Sequence, residues 1–204
     1  ALLATLTLFA AACGDDEKSD SGSSDTTASG GEIGEVAPND AAIALLPEAI
    51  ASKGSLLVAT DATSPPSEFI AGHGSTIIGF DIDLVRAISQ VFGLQLRVVE
   101  SEFAKIIPAI QAGTFHMGIS AFTDTLEREK QVDFITYFSA GIQWARRTGS
   151  TITPESACGK RVGVKSTTVQ ETQEIPAKSA ACEKLGKEPI RMVKFENQDA
   201  TVNA

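Results

Sequence analysis

Arg128 stands in the first turn of the helical stretch Thr125-Leu-Glu-Arg-Glu-Lys130, which Thr125 opens. A guanidinium offers a planar fork for a carboxylate, and the free amides of a helix N-terminus favour the same anion. Thr123 adds a hydroxyl just ahead of that helix, and Ser120 and Ala121 follow the apolar run Met117-Gly-Ile119. These residues lie where a strand's carboxyl end meets a loop, the usual binding crevice of a parallel sheet. The chemistry they suit is capture of a small zwitterion by its carboxylate. Residue types alone favour the plainer reading, a surface arginine paired with Glu127 or Glu129. Asp61 follows another apolar strand, and could face an ammonium group or a ligand side chain, or cap its own loop. No nucleophile is paired with a base, and no glycine-rich phosphate loop is present.

The elements that must hold these residues alternate. Ser55-Leu-Leu-Val-Ala-Thr60 is a continuous apolar strand, and Asp61 to Ser67, with Pro65-Pro66, is a loop. From Gly79 to Phe92, Ile82, Val85, Ile88 and Phe92 recur at helical spacing, with Asp81 where an N-terminal cap belongs and Gly93 as the stop. Leu96 to Glu100 reads as a strand, Ala104 to Ala112 as a helix closed by Gly113, and Met117 to Ser120 as a third strand. A helix from Thr125 to Val132 and a strand from Gly141 to Arg147 complete this unit. A second unit follows Gly149: a strand from Cys158 to Val164, a helical stretch from Thr168 to Lys178 limited by Pro176, a strand from Ile190 to Phe195, and a helix beginning at Asp199. Such alternation implies an α/β fold with parallel sheets covered on both faces.

Charge and cysteines describe the rest. Of the formal net charge of −9, residues 1–52 carry −8, from nine acids against Lys18 alone. The folded part is therefore near neutral and lacks the basic face of a nucleic-acid footprint. Ala1 to Ala12 is an apolar run ending in small residues. Cys13 follows it, and then the polar stretch Gly14-Asp-Asp-Glu-Lys18. That order matches a bacterial lipoprotein signal, in which the cysteine takes a lipid and becomes the new N-terminus. Two acyl chains give stable membrane anchoring. The run lacks an initiating Met and basic residues, so the chain is expected to be clipped there. Gly14 to Asn39 is too poor in large apolar residues to fold alone and reads as a spacer. Asp40 to Ser52 carries a short helix interrupted at Pro47. Cys158 and Cys182, in one strand–helix–strand unit of an exported chain, are expected to be bridged. The histidines, His73 and His116, show no ligand spacing with the cysteines, so neither a metal nor another cofactor is expected. His73 sits in a glycine-flanked loop.

The order Thr60-Asp-Ala-Thr-Ser-Pro-Pro-Ser-Glu-Phe69, Gly79-Phe-Asp-Ile-Asp-Leu84, Ile106-Ile-Pro-Ala-Ile110, Thr125-Leu-Glu-Arg-Glu-Lys130 and Val132-Asp-Phe134 resembles the bacterial extracellular solute-binding proteins of family 3, the polar-amino-acid binding lipoproteins of ATP-driven importers. Cys158-Gly-Lys and Ala181-Cys-Glu-Lys look like its actinobacterial branch. The resemblance covers Gly54 to Ala204. It implies a two-lobe (type II) periplasmic-binding-protein-like fold that closes on one amino acid, with the second lobe incomplete in this chain. It implies a ligand-binding set of Arg128, Thr123, Ala121, Ser120, Phe103, Asp61, Ser64 and Thr168. Phe103 falls where the family places a wall against the ligand, though a core aromatic would look the same. Ser64 and Ser67 replace the aromatics the family often has there, leaving a roomier, more polar pocket. Ser166-Thr-Thr168 matches the turn that meets the carboxylate from the second lobe. The family's acidic partner for the α-ammonium has no counterpart before Ala204.

The expected division is a signal remnant at 1–13, an acidic tether with a short helix at 14–52, lobe 1 at 53–147 and part of lobe 2 at 148–204. The expected protein is a monomer, lipid-anchored at the membrane and facing outward, that passes an amino acid to the permease of an ABC importer. The alternatives are an extracytoplasmic enzyme on the same fold, similar to cyclohexadienyl dehydratase and using Asp61, Glu68 or Thr123, and a receptor's sensor domain. The enzyme would need a general acid or base in the cleft, and no catalytic arrangement is recognisable. The sensor would need a transmembrane helix.

Overall fold

The computed structural model describes residues 34–72 and 74–204. Cys13 and His73 lie outside the described residues. Two one-turn helices come first, α1 (Asp40–Ile43) and α2 (Glu48–Ala51), with Pro47 between them. They do not hang free. Asn39 N–H donates to Val91 O, Val36 N–H to Gln90 Oε1, and Leu46 and Ile50 pack on the first core.

β1 (Ser55–Thr60) is the centre of the first sheet. Its apolar run is buried on both faces, with Val58 and Ala59 fully enclosed, as a central parallel strand requires. The expected Asp61–Ser67 loop instead contains β2 (Thr63–Ser64). It pairs antiparallel with β3 (Glu68–Ile70), which pairs in turn with β4 (Ile77–Ile78). Strands of two or three residues carry too little periodicity to be read in advance. α3 (Phe80–Val91) presents Ile82 and Val85 to the core. Asp81 is not its cap. Gly79 holds that position at φ 130°, where a Cβ would overlap the Ser67 carbonyl, and Asp81 is fully buried inside the first turn.

β5 (Gln95–Glu100), α4 (Phe103–Gln111) and β6 (Met117–Gly118) follow, and the sheet order is β5–β1–β6, all parallel. A Cβ at Gly118 would come 2.5 Å from Ile106 Cγ2, so glycine lets β6 approach α4. The core gathers Leu56, Val58, Val85, Leu94 and Ile119. Each such side chain stabilises by about 1.5–3 kcal/mol.

α5 (Leu126–Glu129) is shorter than the expected helix, and Thr125 caps it by accepting from Arg128 N–H. The expected strand at Gly141 to Arg147 is absent. This stretch has no ladder partner among the described residues, and a strand exists only as one member of a pair. The chain from Tyr137 to Trp144 joins the two cores, with Tyr137 bonded to Asp81 of α3 and Trp144 packed on the second core.

β7 (Arg161–Lys165) and β8 (Arg191–Phe195) are parallel neighbours. Between them a wide helical turn (Gln170–Glu174) leads into α6 (Ile175–Lys184). Pro176 does not limit this helix. It sits in the first turn, where the missing N–H would be unsatisfied anyway. Cys158 and Cys182 are bridged, with Sγ–Sγ 2.05 Å, over a core of Ala157, Val164, Ile175 and Ile190. α7 (Gln198–Asn203) is capped by Asn197. Among the described residues no helix is long and apolar enough to cross a membrane.

Candidate functional site

The carboxyl ends of β1, β6 and β7 converge, and the sequence-derived site residues meet there. Arg128 leaves the first turn of α5 and reaches across the cleft. Its Nη1 donates to Thr123 O at 2.7 Å and its Nη2 to Thr167 O at 2.9 Å. The guanidinium carbon lies 5.5 Å from the Phe103 ring centre and 5.3 Å from that of Phe122. Those rings stack on each other at 4.3 Å. Burial lowers the pKa of Arg128 from its ordinary value, yet a guanidinium keeps its charge in proteins. Glu127 pairs with Lys130 instead. Two carbonyls therefore orient the fork from opposite sides, with aromatic faces backing it, an arrangement suited to an anion.

Ser120 is buried and works in both directions. Its Oγ accepts from Asp61 N–H at 3.0 Å and donates to Glu68 Oε1 at 2.9 Å. Ala121 adopts φ 44°, left-handed for a residue with a Cβ, and its N–H donates to Asp81 Oδ2 at 3.0 Å. Tyr137 Oη donates to the other oxygen of Asp81 at 2.6 Å. Burial pushes the Glu68 carboxyl up to about 9, helped by the hydrogen bond and the negative charge of Asp81. Burial first, and Asp81 second, raise Tyr137 as well.

Asp61 is enclosed by donors. Phe103 N–H, at the start of α4, gives a bond of 2.9 Å to Oδ2, and Thr63 Oγ1 donates to Oδ1. Lys165 Nζ lies 2.8 Å from Oδ1 and 4.9 Å from the Phe103 ring centre. Beside this pair a cavity of about 100 Å³ is lined by Asp61, Thr63, Glu100, Ser101, Glu102, Glu196 and Asn197, four of them acidic. A shallower groove of about 320 Å³, with Ile77, Arg86 and Val98 in its lining, shares no residue with this region.

The structure thus brings Arg128, Thr123, Ala121, Ser120, Phe103 and Asp61 together around one crevice. Ser64 lies in β2 opposite Glu68. Thr168 Oγ1 donates to Lys165 O and accepts from Glu171 N–H, so it shapes the turn, while neighbouring Thr167, at φ 62°, supplies the carbonyl that meets Arg128. Residue types and spacing did not point to Lys165, Phe122, Asp81 or Tyr137. For Lys165 a signal existed: it ends a parallel strand, where ligands bind. His116 lies away from the crevice, its Nδ1 accepting from Leu57 N–H. Among the described residues no three metal-ligating side chains cluster.

The family model of bacterial extracellular solute-binding proteins, family 3, matches residues 56–202. The chain is similar to the arginine-binding protein ArgT of Corynebacterium glutamicum, 44% identical over 163 residues, or 79% of this chain and 53% of that protein. It spans about half the length of the curated relatives it matches. Among solved structures it resembles the arginine-bound form of truncated ArgBP from T. maritima, with TM-score 0.64 and 30% identity over 77% of this chain and 71% of that one. An ancestral arginine-binding protein bound to glutamine gives TM-score 0.60 and 32% identity, over 74% and 64%. These relatives are named as binding proteins, not enzymes. The fold is the two-lobe type II periplasmic-binding-protein fold, of which this chain carries a part. With its motifs in order and the family model matched from β1 to α7, the chain belongs to the bacterial extracellular solute-binding proteins of family 3.

Proposed function

We propose that this protein captures an amino acid between two α/β lobes at the outer face of the membrane and delivers it to the permease of an ABC importer. The observation that carries this reading is the Arg128 guanidinium, oriented by Thr123 O and Thr167 O from either side of the crevice. It is a fork for an α-carboxylate placed where closure of one unit on the other would enclose it. Thr123, Ser120 and Ala121 line the same loop, Phe103 provides the wall, and Ser64 and Thr168 flank it on β2 and at the end of β7.

The names of the relatives suggest arginine as the first ligand to try. The acidic lining beside Asp61 favours a cationic side chain. Lys165 already compensates Asp61, which leaves room for a neutral side chain such as that of glutamine, the ligand of the ancestral protein. Lipid attachment at Cys13 would tether the monomer, with the residues ahead of Val36, the first described residue to bind α3, as the spacer. Calorimetry of the protein at its natural length against arginine, lysine, histidine, glutamine and glutamate tests the reading. Binding of one of them at micromolar concentration or below supports it, and no heat with any of them refutes it. Release of the protein from membranes on Cys13→Ala tests the anchor.

A further inference from the structure

Glu68 is fully buried, yet nothing in carboxylate capture uses it. Its Oε1 accepts from Ser120 Oγ, while its Oε2 is buried with no hydrogen-bond partner among the described residues. Asp81 is also fully buried, and it binds Ala121 N–H, next in the chain to the Ser120 that binds Glu68. Both Asp81 oxygens are already engaged, by Ala121 N–H and Tyr137 Oη. Two buried carboxylates held against adjacent residues of one loop do not both stay ionised, so one proton belongs to the pair. Placed on Glu68 Oε2, it gives that orphaned oxygen a partner by donating to Asp81. The charged and titratable groups facing Glu68 are Asp81 from α3, Tyr137 from the crossing segment, and Lys165 from β7. Lys165 is itself bound to Asp61.

We propose that the buried Glu68–Asp81 pair is a positioning device for the ligand loop, with Glu68 holding Ser120 and Asp81 holding the left-handed Ala121 amide. This rests on the amino-acid-capture reading above. Ala121 pays for a conformation that residues with a Cβ avoid, and persists in it because Asp81 anchors its N–H. Protonated Glu68 leaves Asp81 with a single negative charge and completes its solvation. Loss of that proton would set two buried negative charges beside a loop that receives a carboxylate, and would weaken the ligand.

The test has two arms, both on the protein at its natural length. The first needs no ligand: amide hydrogen exchange at pH 7 of wild type, Glu68→Gln and Glu68→Leu. Glutamine keeps a donor for Asp81 and an acceptor for Ser120, so Ala121 protection is expected to persist. Leucine keeps neither, and Ala121 protection is expected to fall at least about tenfold, as for a buried group that loses its partner, while Val85 in α3 stays protected. The second arm measures arginine and glutamine affinity from pH 6 to 10. The ligand's own ammonium titrates equally for every variant, so the difference between profiles isolates Glu68. Wild type is expected to lose at least about tenfold more affinity than Glu68→Gln across the top of that range. Unchanged Ala121 protection in Glu68→Leu, or superimposed pH profiles for wild type and Glu68→Gln, would overturn the proposal. Should Val85 lose protection with Ala121, leucine has unfolded α3 and the pH comparison decides. Should no amino acid bind any variant, amino-acid capture fails and the exchange arm alone decides the role of the pair.

Discussion

Lys165 Nζ sits 2.8 Å from Asp61 Oδ1, and both side chains are almost wholly enclosed, at 5% and 4% exposure. One residue ends β7 and the other follows β1, so the pair fastens the second unit to the first through the crevice. Thr63 strengthens the junction, donating to Asp61 and accepting from Lys165 Nζ and from Gln198 N–H.

Removing the cation alone leaves a buried, uncompensated carboxylate. Lys165→Met is expected to destabilise the protein by about 3–5 kcal/mol, and the double change with Asp61→Asn by less than that. Urea unfolding of the single and double variants checks this. The same freed carboxylate is expected to shift ligand preference toward arginine over glutamine by at least about tenfold, or 1.4 kcal/mol, which competition calorimetry reads directly. Equal preference in wild type and variant would show that Asp61 does not face the ligand.

Arg128→Ala is expected to weaken amino-acid binding by about 2–5 kcal/mol without unfolding α5, since the guanidinium packs at the crevice rather than in either core. Arg128→Lys is not expected to restore it, because an ammonium cannot bridge Thr123 O and Thr167 O while presenting a planar fork. Calorimetry together with circular dichroism separates lost binding from lost structure. An affinity loss below about tenfold in Arg128→Ala would exclude it as the carboxylate ligand.

Stability should fall as pH rises. Glu68 carries a folded pKa of about 9 against 4.5 when unfolded. Below the lower value both states hold the proton, and its contribution is whole. Between the two the folded chain keeps a proton that the unfolded chain sheds, so stability declines by up to about 1.4 kcal/mol per pH unit for this one group, and levels off above the higher value. Urea midpoints at pH 5, 7 and 9 are expected to fall in wild type and to change less in Glu68→Gln. Parallel profiles would place the pH dependence elsewhere.

Cys158 and Cys182 close a loop with a sequence separation of 24 over the second core. Replacing both with alanine is expected to cost about 3 kcal/mol through the freed unfolded chain. A smaller shift in thermal midpoint under reducing conditions, with the first core unaffected by hydrogen exchange, would locate the effect. No change would mean the packing of Ala157, Val164 and Ile190 suffices alone.

Periodicity and punctuation made much of the fold legible. The apolar run Ser55–Thr60 declared a buried strand, the spacing of Ile82, Val85 and Ile88 an amphipathic helix, and Thr125 a cap, because each signal depends on neighbours within one or two turns. The place of Arg128 at a helix start after a strand end was legible for the same reason, since both signals are local. Elements that depend on distant partners were not. Gly141 to Arg147 has strand-like residues but no ladder partner among the described residues. Pro176 looked like a stop and is a start, since only the turn before it decides which. Asp81 looked like a helix cap and is a buried acceptor for Ala121 and Tyr137. The same division runs through the site. Sequence by itself determined which residues could bind a zwitterion and that the chain alternates strands with helices, since side-chain chemistry and backbone preference are written residue by residue. Only the tertiary structure decided that Lys165 neutralises Asp61, that Thr167 rather than Thr168 meets Arg128, and that Glu68 and Asp81 share the space beneath the loop. Those are relations between residues far apart in the chain, and burial gives them their energy by removing the water that would otherwise screen each charge alone.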